Sequence, residues 1–263
     1  MIKSEKVEFK FCIVGIEYLV KLYEISIKYD LLKLVWNRFT LTFHSSLDPG
    51  GAVLMDIYTI GHSNYTVEKL IEMLRYYDIN CVVDIRGTPY SKYNVQFDKE
   101  TIKYTLTKAG FIYIYMAKEL AAKRINKVSY NEEGYSDFEK VIHEEDFIKG
   151  IERLKDGCNK GYRIALLGAM QDPVRCHRSI LVGRALKEAG FNVMHILDDY
   201  STKDQDYINE RVLDKYFPDR SQITIDALLG NEMSIEEMIN EGYRMANKEI
   251  GYRIECLTVE KKR

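Results

Sequence analysis

The chain has no Cys-x-x-Cys pair: Cys12, Cys81, Cys158, Cys176 and Cys256 are scattered and odd in number. That excludes a disulfide framework and a zinc knuckle, and it makes a reducing cytoplasm the expected setting. A long uncharged apolar run is missing too. The stretch from Phe11 to Val35 is broken by Glu17, Lys21, Glu24, Lys28, Asp30 and Lys33, so neither a signal peptide nor a membrane-spanning helix is expected, and no membrane partner. Nor is there an excess of one charge. The 38 Lys and Arg against 40 Asp and Glu leave a net charge of -2, which implies no overall attraction to nucleic acid while leaving a local basic cleft open. Internal repeats and low-complexity segments are also lacking. What remains is a chain of 263 residues, 46% hydrophobic, long enough to bury a full core as one large domain or one domain with extensions.

Three parts are expected: an N-terminal extension over 1–54, an α/β domain over 55–200, and a C-terminal helical extension over 201–263 that packs on the domain. Residues 16–35 have the pattern of an amphipathic helix, and Asp48-Pro49-Gly50-Gly51 ends that segment abruptly. Gly50-Gly51 must be encoded GGN-GGN, which can spell a ribosome-binding GGAGGU three codons ahead of Met55. Met55 is therefore one expected start, with 1–54 as translated upstream sequence; a genuine helical extension is the other reading. Peptides from 1–54 in the native protein would exclude the first.

From Met55 the pattern alternates. Ile57 to Gly61 is β-rich, and Val67, Leu70, Ile71 and Leu74 recur at helical spacing. Cys81 to Ile85 is near-continuously apolar, as in a strand buried on both faces. A helix is expected from Asp98, its cap, to Ala109, ended by Gly110, and a third strand over Ile112 to Met116. One long helix is expected over Asp137 to Leu154, a fourth strand over Ile164 to Leu167, a helix over Ser179 to Ala189 closed by Gly190, and a fifth strand over Val193 to Leu197. After Asp199 the alternation stops, with a last helix over Glu236 to Lys248 and a frayed end at 260–263. The expected fold is α/β: a Rossmann-like parallel five-stranded sheet with helices on both faces.

Open parallel sheets bind ligands outside the carboxyl ends of their strands. That edge gathers His62 and Ser63 from the first strand, then Asp84, Arg86 and Ser91 from the second. It gathers Lys118 after the third, Cys176, His177 and Arg178 after the fourth, and His195, Asp198 and Asp199 from the fifth. Three of the five histidines thus fall at or near strand ends, which favours function for the group although each alone reads as structural. Asp84 and Arg86, two apart, point to one face and either bind a ligand together or pair with each other. Arg86-Gly87-Thr88-Pro89 then turns sharply, aiming a loop over a pocket.

Cys176-His177-Arg178 precedes a helix whose free N–H groups favour anions and depress a nearby thiol's pKa, helped by Arg175 and Arg178. A nucleophilic thiolate, an anion cradle in which Cys176 only packs, and a metal site all compete. Metal is the weakest, since no second ligand stands at helical spacing, and none is assigned. Anion binding is favoured, with His177 or His62 as acid-base candidate. Lys118, Lys123, Arg124 and Lys127 form a basic group that is either a solvated face or the flank of a phosphate-bearing ligand. Tyr58, Tyr90, Tyr93, Tyr113 and Tyr115 add aromatic surface for stacking on a base.

Thr59-Ile60-Gly61-His62-Ser63, Val83-Asp84-Ile85-Arg86-Gly87-Thr88-Pro89-Tyr90-Ser91, Gly134-Tyr135, Cys176-His177-Arg178 and His195-Ile196 resemble, in that order, the motifs of the uncharacterised bacterial and archaeal DUF488 family. The resemblance covers roughly 57–197. It supports the fold and supplies no established reaction, and it leaves any cofactor unknown. The chain departs from the family pattern at Gly168-Ala169-Met170, where many members carry Cys-Ala-Glu, and at Leu120-Ala121-Ala122, where Leu-Gly-Gly or Leu-Gly-Ala is usual. Losing that thiol and carboxylate leaves two function classes. One is an enzyme on a nucleotide-like or phosphate-bearing ligand: Arg86 and Arg178 hold the anion, assisted by Ser63 and Ser91. Asp84 orients or acts as base, and His62 or His177 moves protons. The other is a non-catalytic accessory module for a ligand or nucleic acid. Thiol chemistry at Cys176 is a third reading. The oligomeric state is not legible.

Overall fold

A computed structural model describes residues 55–220 and 233–254. The expectations for 1–54 and 260–263 lie outside the described residues. Five strands run parallel: β1 (Met55–Gly61), β2 (Cys81–Asp84), β3 (Ile112–Tyr115), β4 (Ile164–Gly168) and β5 (Phe191–Ile196). The sheet is nonetheless mixed rather than purely parallel and five-stranded. Among the described residues it has six strands in the order β3-β2-β4-β1-β5-β6, and β6 (Thr202–Lys203) lies antiparallel to β5. Tyr200, at φ 64°, turns the chain back on itself, so the sheet is extended just where the alternation in the sequence ends.

Side-chain parity shows how the sheet is covered. Ile57, Cys81, Val83, Ile164, Leu166, Phe191 and Val193 belong to one hydrophobic cluster. Tyr58, Ile60, Val82, Ala165 and Leu167, one step out of phase, are buried outside it. Both faces are therefore dry, which is why β2 and β4 are buried at every position. The crossovers place α1 (Val67–Tyr76) and α2 (Lys99–Lys108) on the second face, where Leu70, Met73, Leu74, Ile102 and Leu106 are buried. The first face is covered by α3 (Ala117–Leu120), α4 (Phe138–Val141), α5 (Glu145–Asn159) and α6 (Arg184–Glu188). Two C-terminal helices, α7 (Gln205–Tyr216) and α8 (Ile235–Ile250), add Ile208, Val212, Tyr243 and Ala246 to that same cluster.

The helix ends follow local chemistry. Thr66 caps α1 through its hydroxyl, Gly110 leaves α2 at φ 95°, and Ser234 with Glu237 forms a capping box on α8. Two expectations need correction. The long helix over 137–154 is two helices, because the chain turns at Ile142 to Glu144 between α4 and α5. The helix after Cys176 begins as a π-helix over Arg178–Gly183 before α6. There Gly183 packs so closely that a Cβ would stand 2.6 Å from Gln205 Oε1, and wide turns of this kind recur at functional sites. Among the described residues no helix is long and apolar enough to cross a membrane.

Candidate functional site

The chain leaves β2 toward β3, and leaves β4 the other way toward β5, so connections diverge at the carboxyl ends of two neighbouring strands. That is the crevice where open α/β sheets hold ligands. The loops there are laced together. His62 and Ser63 donate backbone N–H bonds to Gly168 and Ala169 at 3.1 and 2.8 Å, and Ile85 donates to Leu167 at 3.2 Å. Residue 61 has to be glycine, since a Cβ would run into the Met170 carbonyl. Ser63 takes the left-handed conformation, φ 46°, that is costly for a side-chain-bearing residue.

On the α1/α2 face, Asp84 and Arg86 pair with each other. Asp84 is fully buried and binds Arg86 through Nε at 2.9 Å and Nη2 at 2.6 Å, and also accepts the Arg86 backbone N–H. Tyr113, across from Val82 on β3, donates its hydroxyl to the same carboxylate at 2.7 Å. Arg86 Nη1 donates to the Phe97 carbonyl at 2.8 Å and to His62 Nε2 at 3.1 Å. His62 Nδ1–H in turn donates to the Ser63 carbonyl at 2.8 Å, which defines the tautomer as a neutral imidazole. Its ring stacks on Phe97 with centroids 4.2 Å apart. Burial and the Arg86 guanidinium push the His62 pKa down to about 4. Burial and the Asp84 carboxylate push the Tyr113 hydroxyl upward.

A second polar cluster lies on the opposite face. Arg178 is completely buried; its guanidinium holds the Met170 carbonyl, the Gln171 carbonyl at 2.8 Å and the Thr59 hydroxyl at 3.3 Å. Thr59 donates to His195 Nδ1 at 2.8 Å, and His195 Nε2–H donates to Gln205 Oε1 at 2.8 Å. Gln205 Nε2 reaches the Ser179 carbonyl and the Tyr243 hydroxyl, which donates to Asn209. Burial, then the Arg178 charge, push the His195 pKa down to about 3. Cys176 rests on Gly168, where a Cβ would come within 3.0 Å of its Sγ and 3.1 Å of Arg178 Cδ. The departure from Cys-Ala-Glu thus puts a glycine where a side chain would crowd Cys176 and Arg178. Cys176 Sγ lies 3.9 Å from His177 Nδ1, and His177 Nε2–H donates to the Ile85 carbonyl at 3.0 Å. Burial pushes the thiol up, but His177 and Arg178 reverse this and hold it at about 6. Burial disfavours the His177 imidazolium, yet Cys176 raises its pKa above the ordinary value.

Two clefts open at this edge. The first, about 310 Å³, is lined by His62, Ser63, Arg86, Ser91, Phe97 and Met170 among others. The second, about 480 Å³, is lined by Ser63, Met170, Gln171, Arg175, Asp198 and Arg211 among others. Of the expected site residues, His62, Ser63, Arg86 and Ser91 therefore come together on one cleft. Asp84 stands behind Arg86. Cys176, His177 and Arg178 line neither cleft. Arg178, expected to hold an anion, instead spends its donors on protein oxygens, and His195 is a strand residue of the buried network. In the expected basic group, Lys118 pairs with Asp146 at 3.0 Å, and Arg124 is buried against Glu144 and two carbonyls. Phe97, Asn64 and Asn94 line the first cleft without having been singled out in the sequence, and Pro89 and Met170, named there for a turn and for a departure from the family pattern, line it too. Phe97 carried a readable signal, an aromatic immediately before the Asp98 cap. Among the described residues no three His, Cys, Asp or Glu side chains gather as a metal would require.

Fold and site together define an α/β protein with a polar cleft at the carboxyl edge of a largely parallel sheet. Residues 66–185 match the family model described as Domain of unknown function DUF488. That match supports the resemblance to this family read from the motifs. The matched span holds Asp84, Arg86, Ser91 and Cys176 to Arg178, and begins after His62 and Ser63. No curated protein and no solved structure matches the chain.

Proposed function

We propose that the first cleft binds a nucleotide-like or other phosphate-bearing ligand, and that recognition is its primary role. The observation that carries this is the neutral His62 imidazole beside the Arg86 guanidinium on a cleft at the strand carboxyl ends. Tyr90, which is exposed, together with the edges of Pro89 and Phe97, offers an apolar and aromatic wall to a planar group. Ser91 Oγ accepts from the Tyr93 and Asn94 backbone N–H groups, which aligns its hydroxyl as a donor. An anion at Arg86 draws hydrogen bonding from His62 and releases the imidazole lone pair. Recognition is favoured over turnover because both candidate bases beside this cleft are engaged: Asp84 by Arg86 and Tyr113, His62 Nε2 by Arg86. Calorimetric titration with adenosine monophosphate tests the reading. Saturable binding that weakens at least roughly tenfold, about 1.4 kcal/mol, in His62→Gln is expected; no binding of any nucleotide or phosphate ester overturns it.

A second reading, catalysis at the same edge, draws support from Cys176 and His177. A thiol held near 6, with its imidazole oriented by the Ile85 carbonyl, has the form of an activated nucleophile. Its burial weighs the other way. Iodoacetamide labelling followed by peptide mapping separates the two. Alkylation of Cys176 in the native protein faster than that of free cysteine favours catalysis; protection until unfolding rejects it.

A further inference from the structure

Ser63 and Met170 line both clefts, so the two are separated only by a saddle made of these residues. The saddle is braced from three sides. Ser63 N–H is bonded to Ala169, the Met170 carbonyl sits against Gly61, and Arg178 holds the Met170 and Gln171 carbonyls from within the sheet. A wall fixed in this way keeps the clefts in one register, as two subsites for a single ligand require.

The charges of the two clefts differ. In the first, the Arg86 cation is already matched by the Asp84 carboxylate, and Asp98 adds a negative charge to the lining. In the second, Arg211 shares Asp172 at 3.1 Å, and Asp198 accepts from the Gln171 amide at 2.7 Å. Arg175, exposed, makes no side-chain hydrogen bond or ion pair among the described residues; Glu249 is its longer-range electrostatic neighbour. A cation with no paired carboxylate among the described residues thus stands across the saddle from the first cleft, in addition to Arg86, on a lining that also offers Tyr207. A cleft near the lower end of the usual range of about 300–1,000 Å³ suits one nucleoside, and the two clefts together suit a longer molecule.

We propose that the ligand is a phosphodiester-linked dinucleotide unit, free or within a single strand. One nucleoside lies in the His62–Arg86 cleft, the chain crosses the saddle beside the Ser63 hydroxyl, and a phosphate meets Arg175 and Arg211. This rests on the nucleotide reading of the first cleft. Arg175 and Arg211 supply charge-assisted hydrogen bonds to phosphate, and Asp198 suits a sugar hydroxyl.

The test compares adenosine monophosphate, 5′-phosphorylated di-adenylate and a longer oligoadenylate by calorimetry, on the native protein and on Arg175→Ala, whose exposed position leaves the melting temperature as a fold control. Two linked subsites predict di-adenylate binding at least roughly tenfold tighter than the monophosphate. Arg175→Ala should remove that gain while leaving monophosphate binding unchanged. Equal affinities, or a gain that survives Arg175→Ala, overturn the proposal and leave the first cleft's reading standing. Failure of all three probes overturns both. A longer strand that binds tighter still, with an Arg175-dependent salt slope, supports nucleic acid as the source; equal binding of strand and dinucleotide supports a free dinucleotide.

Discussion

The two faces of one sheet edge carry two arginines in contrasting circumstances. Arg86 is paired with a carboxylate, touches a neutral histidine and lines a cleft. Arg178 has no exposure, touches carbonyl oxygens and a hydroxyl, and lines neither of the two clefts. Both stand near a histidine held neutral by burial and by the arginine's charge. The difference teaches that a guanidinium at a strand end is not by itself an anion site. Arg178 fixes the backbone that forms the saddle, whereas Arg86 and His62 present atoms to the cleft. Cys176 and His177 belong with Arg178 in position, on the side away from the first cleft.

Breaking the framework side should give the largest effect. Arg178→Met strips a charged donor from the Met170 and Gln171 carbonyls and from the buried Thr59 hydroxyl, and should cost on the order of 3 kcal/mol in urea unfolding at constant pH. A loss below about 1 kcal/mol would contradict the framework role. Acid sharpens the same comparison. His195 and His62 are held down to about 3 and about 4, while an unfolded imidazole titrates near 6.5. The unfolded state therefore takes up protons first as pH falls. The stability linked to the two histidines is complete above about 6.5 and is lost toward pH 4 and below, at up to about 1.4 kcal/mol per pH unit for each. Stability measured over this range should fall less steeply in His195→Gln; an unchanged slope would remove His195 from the account.

Smaller effects are expected on the cleft side. His62→Gln keeps an acceptor for Arg86 and should cost roughly 1 kcal/mol of stability, while carrying the affinity loss described above. Ser91→Ala should cost the least. It removes one hydroxyl from a loop where Asp98 still holds the Ser91 N–H at 2.9 Å, and should weaken adenosine monophosphate binding only several-fold, about 1 kcal/mol. A melting temperature lowered more by Ser91→Ala than by Arg178→Met would invert the comparison.

Much of this arrangement is legible in the sequence. The near-continuous apolar runs at Cys81 and Ile164 mark strands buried on both sides, and the carboxyl-edge rule brings His62, Ser63, Arg86 and Ser91 to one cleft. The pairing of Asp84 with Arg86 was one of two outcomes that their spacing allows. What parity along a strand does not carry through is the turn at Asp172 to Arg175, after which Cys176 and Arg178 fall on the far face. Tyr113 is at the site because β3 is in register with β2, a long-range fact that no local pattern holds. The π-helix packs at Gly183 against Gln205, from an element beyond the alternating region. The sixth strand is two residues long and carries no periodic signal.

The central claim is that ligand meets His62 and Arg86, and that the buried Arg178–His195 network touches none. The chain has five histidines, so a histidine-labelled sample gives a simple spectrum in which His62 and His195 report on the two faces separately. Titration with adenosine monophosphate at neutral pH should move the His62 ring nitrogen signals, Nε2 foremost, as Arg86 turns toward the ligand, and leave His195 in place. Movement of His195 with His62 unmoved would contradict it.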